Sequence, residues 1–316
     1  MKVWHSIFQA QQEIDKNRTH TVVTIGNFDG VHRGHQLIMN RTVELAKFNQ
    51  NLALALTFTN HTESLVGEKP QRLNSPAIRR EKLTQLSLDA LVEVEFDSRL
   101  ADLTPEVFFQ KWLHEGLRAE TIVIGYDFKF GAQGRGDYEL LQELGAAAKV
   151  KIERVKPGKE SGFIISSSKI RQLLAEGDIE LANQMLGYPF MIEGEIKSGE
   201  QRGRTLGFPT ANIYLDPEYQ LPRYGVYLVV MQIEGSRYFG VASVGIKPTF
   251  GQYSPLIEVY LLDVEMNLYH KSARVEFIKF IRAESRFSGP EALKEQIKKD
   301  VEVARGLLKK YSRSQI

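Results

Sequence analysis

Over the first 186 residues, short β-branched apolar runs alternate with longer stretches whose apolar positions recur at helical spacing. The runs Thr21–Ile25, Leu52–Phe58, Leu91–Val94, Thr121–Ile124, Val150–Val155 and Phe163–Ile165 are predicted strands. Between them, Gln36–Phe48, Pro76–Leu88, Pro105–Leu113 and Tyr138–Ala148 are predicted helices, and Ser168–Ala175 and Ile179–Leu186 close the region. Ser75-Pro76 and Thr104-Pro105 each put a hydroxyl in the capping position before a proline at the first helical position. Strand and helix in alternation predict a parallel sheet wound with helices, a Rossmann-like α/β domain.

From Gly187 the period changes. Phe190–Lys197, Val226–Ile233, Arg237–Val244, Ile257–Val264 and Arg274–Phe280 read as strands, with Glu234-Gly235 as a hairpin turn. They predict an antiparallel β-barrel. A last helix over about Glu291–Lys310 repeats Leu293, Ile297, Val301, Ala304 and Leu308 along one face. The expected domains are therefore 1–186 and 187–316 of a 316-residue chain, long enough for two cores.

Composition narrows the function classes. Without a cysteine, the chain can hold no disulfide, thiolate metal site or cysteine nucleophile. Its 41 basic residues nearly balance 39 acidic ones, which argues against a nucleic-acid or anionic-membrane surface. The first residues turn polar without the apolar core and cleavage site of a signal peptide, and the longest apolar run, Leu52–Phe58, is far short of a membrane span. A cytoplasmic protein is expected, with the oligomeric state left open.

The first candidate site is Gly26-Asn27-Phe28-Asp29-Gly30-Val31-His32-Arg33-Gly34-His35, a strand-to-helix turn. Free N–H groups and the dipole at a helix N-terminus favour an anion, and glycine lets backbone approach it closely. His32 and His35 would face that anion, although histidines at this spacing also cap or pack helices. In a wound sheet, the loops after the strands gather around the ligand, so Gly125-Tyr126-Asp127-Phe128 and Ile165-Ser166-Ser167-Ser168-Lys169-Ile170-Arg171 are expected to converge there. Three hydroxyls with Lys169 and Arg171 suit a second phosphate grip, or a plain helix cap with surface charges.

In the second region, Gly203-Arg204-Thr205-Leu206-Gly207-Phe208-Pro209-Thr210-Ala211-Asn212 is turn-rich and lacks a Walker sequence. A turn-rich loop with two arginines, Arg202 and Arg204, can be merely solvated, yet Thr210 and Asn212 offer hard oxygen ligands two residues apart, suited to Mg²⁺ on a nucleotide. Glu258 interrupts an apolar strand, which suggests a general base or a rim carboxylate paired to arginine.

Together, the glycine-flanked H-x-G-H, the later I-S-S-S-x-I-R, G-R-T-L-G-F-P-T-A-N, S-V-G-I-K-P-T-F and I-E-V-Y-L-L-D resemble the bacterial bifunctional riboflavin kinase/FMN adenylyltransferase (FAD synthetase) family over nearly the whole chain. The resemblance implies an N-terminal nucleotidyltransferase domain that converts FMN and ATP to FAD and pyrophosphate. It implies a C-terminal kinase domain that makes FMN from riboflavin and ATP with Mg²⁺. His32, His35 and Arg171 would act on the ATP phosphates, with Gly26, Phe28, Asp29, Asp127, Ser167 and Ser168 lining that site. Arg204, Thr210 and Asn212 would hold Mg²⁺–ATP, Glu258 would be the base, and Arg282 would belong to a flavin-side loop.

Three positions depart from the family pattern. Phe58-Thr59-Asn60-His61-Thr62 stands where F-x-P-H-P is usual, Tyr260 where histidine is common, and His270 where glycine usually follows Leu-Tyr. Losing both prolines predicts a less rigid loop near the FMN acceptor. Two alternatives keep the retained motifs: a riboflavin kinase whose N-terminal domain only binds ligand, and a non-catalytic flavin or nucleotide sensor.

Overall fold

A computed structural model describes residues 1–17, 19–60, 70–197, 206–214, 218–249, 252–264, 266 and 268–314. The chain forms two compact units, Met1–Pro70 with Pro76–Ser167, and Gln71–Ser75 with Ser168–Ile316.

The first unit runs β1 (Lys2–Trp4), α1 (Ile7–Lys16), β2 (Thr21–Ile25), α2 (Arg33–Asn49), β3 (Leu52–Phe58), α3 (Pro76–Thr84), β4 (Ala90–Val94), α4 (Ser98–Ala101) and α5 (Pro105–Phe108). A π-helical segment, Phe109–Gly116, then leads into β5 (Ala119–Ile124), α6 (Tyr138–Ala148), β6 (Lys151–Arg154), β7 (Lys159–Glu160) and β8 (Phe163–Ile164). Six strands form one parallel sheet in the order β1-β4-β3-β2-β5-β6. The strands β2 and β4 are buried along their whole length because both faces are covered. Val23, Ile25, Leu54 and Ile122 pack into one core layer, while Val22, Ala53 and Val123 pack with Met39 and Val43 of α2 into the other. Strand succession reverses direction between β2 and β5, the position where open α/β sheets bind ligands.

Two local expectations change. Phe163–Ile164 pairs antiparallel with β7 as a small hairpin rather than joining the sheet. Ser161 and Gly162 at its tip both have positive φ (48° and 83°), the geometry of a tight hairpin turn. The helix expected to run through Leu113 is α-helical only to Phe108 and then widens, with the Leu117 N–H donating to the Trp112 carbonyl five residues back. Thr104 caps α5 as expected, accepting from the Val107 N–H. The Ser75 hydroxyl donates to Glu193 Oε2 at 3.0 Å.

The second unit contains α7 (Ser167–Glu176) from Ser168 onward, α8 (Ile179–Leu186), β9 (Met191–Lys197), β10 (Thr210–Tyr214), β11 (Gly225–Ile233), β12 (Ser236–Thr249), β13 (Gln252–Leu261), β14 (Ser272–Ala283) and α9 (Pro290–Ser314). Its six strands close an antiparallel barrel in the order β10-β13-β12-β11-β14-β9. Helix α8 is counted with this unit because it docks on β14, where Asn183 Nδ2 donates to the Phe277 carbonyl at 2.8 Å. The turn-rich sequence predicts a loop through Asn212, but Thr210–Tyr214 forms strand β10. It alternates Ala211 and Ile213, both buried, with Thr210 and Tyr214 on the other face.

Candidate active sites

In the first unit the turn after β2 is held in an unusual backbone conformation. Phe28, Gly30 and Val31 all have positive φ, 48°, 81° and 35°. For Phe28 and Val31 this costs about 1–3 kcal/mol each and persists only when the surroundings over-determine it. Burial of both side chains, at 2% and 1% exposure, supplies part of that constraint. The Gln36 amide donates to the Val31 carbonyl at 2.8 Å, and the Ser167 hydroxyl donates to the Asp29 carbonyl at 2.9 Å. The structure thus brings Ser167 to Asp29, which is itself buried.

His32 is the N-cap of α2. Its Nδ1 accepts the His35 backbone N–H at 3.3 Å, so in the neutral ring the proton sits on Nε2. The two imidazoles stack with centroids 3.6 Å apart, and Phe28 meets His35 edge-on at 5.3 Å. Only part of His35 reaches the surface, and its Nδ1 is sealed without a hydrogen-bond partner. Burial, and secondarily the positive charge that His32 can carry, hold the His35 imidazole well below its ordinary pKa. At neutral pH, His35 is therefore a neutral ring. A Cβ on Gly34 would sit 3.1 Å from the His32 ring, so the close stacking depends on a glycine there.

Beside this turn lies a cavity of about 400 Å³ between the ends of β2, β3 and β5. Gly26 and Asn27 form its polar edge, and Phe58, Phe96, Phe108, Phe128 and Phe130 contribute its walls. A flat aromatic ligand fits such walls by stacking. Asn60 secures the neighbouring loop by exchanging two hydrogen bonds with the Phe96 backbone, both 2.8 Å, whereas His61 and Thr62 lie outside the described residues. Asp127 is exposed at the end of β5, and the neighbouring Tyr126 phenol is pushed up, first by burial and then by the Asp127 charge. Ser168 and Arg171 are counted with the second unit, where Arg171 Nε donates to the Gln71 carbonyl at 2.7 Å.

In the barrel, register builds the site. Asn212 pairs with Glu258, Glu258 with Ser243, Ser243 with Val226, and Val226 with Arg282, a single row across five strands. Residues paired across a sheet share a face, so these side chains line up on one side of the barrel wall. Glu258 is half-buried there, while its neighbours Ile257 and Val259 point the other way and are fully buried. The interruption of an apolar strand is thus a change of face. Thr210, Ser243, Glu258, Tyr260 and Arg282 border a cavity of about 580 Å³ closed by residues of α9. Asn212 Oδ1 is sealed without a partner, an acceptor that a cation would satisfy.

Arg282 is committed to the protein itself. Its Nε and Nη2 donate to the two carboxylate oxygens of buried Asp300 on α9 at 2.8 and 2.7 Å, and Nη1 donates to the Ala283 carbonyl. Its guanidinium also lies 5.7 Å from the Phe287 ring centre. Tyr260, in the usual histidine position, meets Phe208 edge-on. His270 adopts φ 64°, which explains why a glycine suits that position. Arg204 lies outside the described residues.

Sequence reasoning passed over Asp300 and the ion pair Arg79–Glu93, whose partners are distant along the chain. Glu93 did carry a signal, an acid within an apolar strand as at Glu258, but only the fold identifies its two arginines.

Comparison with known proteins agrees with this geometry. The family model for FAD synthetase matches residues 14–169, and that for riboflavin kinase matches residues 186–308. The chain is 36% identical over 313 residues to the bifunctional riboflavin kinase/FMN adenylyltransferase of Bacillus subtilis (strain 168), covering 96% of this chain and 97% of the relative. For the Escherichia coli (strain K12) protein of the same name, the identity is 37% over 304 residues, covering 95% of each. A solved structure described as a macrolide-efflux protein from Streptococcus pneumoniae superposes with a TM-score of 0.84 at 30% identity, covering 91% of this chain and 94% of that one. Among the described residues, no helix is long and apolar enough to cross a membrane. The histidine turn falls within the first matched segment and the carboxylate row within the second, and the chain belongs to the bifunctional riboflavin kinase/FMN adenylyltransferase family, transferases of flavin cofactor biosynthesis.

Proposed function

We propose that the barrel phosphorylates riboflavin at the Glu258 row and that the first unit adenylylates FMN at the histidine turn. The observation that carries this division is the placement of the only carboxylate in the barrel row, Glu258, beside Asn212 and at the cavity edge. A ribityl hydroxyl must lose a proton as it attacks the γ-phosphorus, whose bond to the bridging oxygen of ADP breaks, and Glu258 accepts that proton. Thr210 and Asn212 fit Mg²⁺ held jointly with nucleotide phosphates. The orphaned Asn212 oxygen supports this. When bound, Mg²⁺ supplies charge neutralisation on the phosphates.

The FMN phosphate is already an anionic nucleophile and needs no base. Its oxygen attacks the α-phosphorus of ATP, and the bond to pyrophosphate breaks. The α2 N-terminus and the imidazole N–H groups donate to the charge that develops. The isoalloxazine ring stacks in the cavity of five phenylalanines. Gly26, Phe28, Asp29, Asp127 and Ser167 frame the nucleotide, whereas Ser168 and Arg171 enter the proposal on the I-S-S-S-x-I-R motif alone. Arg282 contributes by shaping the flavin side of the barrel cavity through Asp300. Residues 1–186 and 187–316 are the proposed functional halves, and the cytoplasm, where ATP is available, is the proposed location.

Incubation with riboflavin, ATP and Mg²⁺, then with FMN and ATP, followed by chromatographic separation of the flavins, tests both steps. FMN and then FAD are expected. Absence of FAD in both incubations would remove the adenylylation reading, and absence of FMN in the first would remove the kinase reading.

A further inference from the structure

The parallel ladder between β2 and β3 ends at Ile25 and Leu56, with a last bond from the Gly26 N–H to the Leu56 carbonyl. Beyond that point the two chains separate, and the phenylalanine-walled cavity opens between them with Asn27 and Phe58 on its edge. Two side chains reach across the gap. The Thr57 hydroxyl of β3 donates to the Asn27 carbonyl at 3.3 Å. Arg79 of α3, 9% exposed, donates from Nη1 to the Asn27 carbonyl at 3.2 Å and from Nη2 to the Phe58 carbonyl at 2.7 Å.

Its charge is balanced by Glu93 of β4, 3% exposed, whose Oε1 accepts from Arg79 Nη2 at 2.9 Å. Glu93 does not take the guanidinium as a bidentate pair. Its other oxygen accepts from Arg80 at 2.6 Å, which leaves the Arg79 fork turned toward the two carbonyls. Burial alone would raise the Glu93 pKa, but the Arg80 hydrogen bond and the Arg79 charge outweigh it and keep the carboxyl below its ordinary value. An ion pair retained only for stability needs no such arrangement, because apolar residues of similar volume serve as well. The planar fork of arginine reaches several acceptors at fixed angles, which a lysine ammonium cannot do.

We infer that Arg79, oriented by Glu93, is a positioning residue for adenylylation, fixing the separation between the strained phosphate turn and the Phe58 wall of the acceptor cavity. The inference rests on the proposed adenylyltransferase role of the first unit. Asn27 lies between the end of β2 and positive-φ Phe28, so a fixed Asn27 carbonyl is one of the constraints that turn requires.

The test compares full-length wild type, Arg79→Lys and the double variant Arg79→Gln/Glu93→Gln, following FMN formation from riboflavin and FAD formation from supplied FMN in each. Arg79→Lys is expected to lower kcat/KM for FMN in adenylylation about 10²-fold, the scale of a misplacement near 1 Å, while FMN formation stays within twofold of wild type. The double variant removes both buried charges together, so it should fold whether or not Arg79→Lys does. It is expected to keep the adenylylation defect. Restoration of adenylylation to within threefold of wild type by the double variant would show that Arg79 only neutralises Glu93, and would overturn the inference. An Arg79→Lys protein with unchanged kcat/KM for FMN would overturn it equally. If wild type itself makes FMN but no FAD, the adenylyltransferase reading fails, an outcome separate from either of these.

Discussion

The histidine turn and the barrel row are both proposed to handle phosphate, yet they are built from different parts. At the turn, the proposed functional atoms are backbone N–H groups and two imidazoles stacked at 3.6 Å beside a loop held at positive φ, with the His35 Nδ1 sealed from water. In the barrel, they are side chains carried by regular strands, aligned by register, with one half-buried carboxylate among them. The nucleophiles account for the contrast. A phosphate attacks without losing a proton, so its site needs donors; a hydroxyl must be deprotonated, so its site needs a base.

The sharpest way to break this comparison is Glu258→Gln. FMN formation from riboflavin should fall about 10²–10⁴-fold, the usual contribution of general-base catalysis, while FAD formation from supplied FMN is unchanged. Equal losses in both assays would show that the base is not specific to the barrel. Replacing His32 or His35 by alanine should do the reverse, lowering FAD formation about 10²–10³-fold as expected for loss of a transition-state donor. Measuring both flavins in one time course reads the two outcomes together.

A smaller effect is expected on pH dependence. Below the ordinary histidine pKa of 6.5, the unfolded chain binds a proton that folded His35 refuses. The unfolded state then carries more protons, so stability is full above that value and declines as pH falls toward the folded pKa. Urea unfolding of the first unit, followed between pH 7.5 and 5, should show this decline, and His35→Gln should flatten it. An equally steep decline in the variant would assign the dependence to other groups.

Gly34→Ala tests how tight the turn is, because the added Cβ meets the His32 ring at 3.1 Å and the ring must give by a few tenths of an ångström. FAD formation should fall roughly 3–10-fold, a fraction of what a full 1 Å displacement costs, despite the better helix propensity of alanine. Least in size, His270→Gly should raise barrel stability by up to about 1 kcal/mol by relieving a positive φ, read as a small upward shift in Tm with both activities unchanged.

Much of the fold was legible because burial wrote it into residue type. Thr21–Ile25 and Leu52–Phe58 were predicted residue for residue, since strands covered on both faces must be continuously apolar. Strand β10 was hidden for the opposite reason: Thr210 and Asn212 occupy the face proposed for chemistry and give the segment a loop-like polarity. The histidine pair and Glu258 stood out by local context. Arg79 and Asp300 did not, because each draws its meaning from partners that only folding supplies, Asn27, Phe58 and Glu93 for one and Arg282 for the other.

The row from Asn212 through Glu258 to Arg282 also bears on how such a protein can vary over evolutionary time. A single inserted or deleted residue within β13 would turn Glu258 toward the barrel interior and bring Ile257 or Val259 to the cavity, because side chains alternate with period two. The kinase half therefore tolerates substitution along these strands far better than any change in their length. Segments beyond the strand ends can lengthen or shorten without disturbing that parity, and they are where divergence among relatives can accumulate.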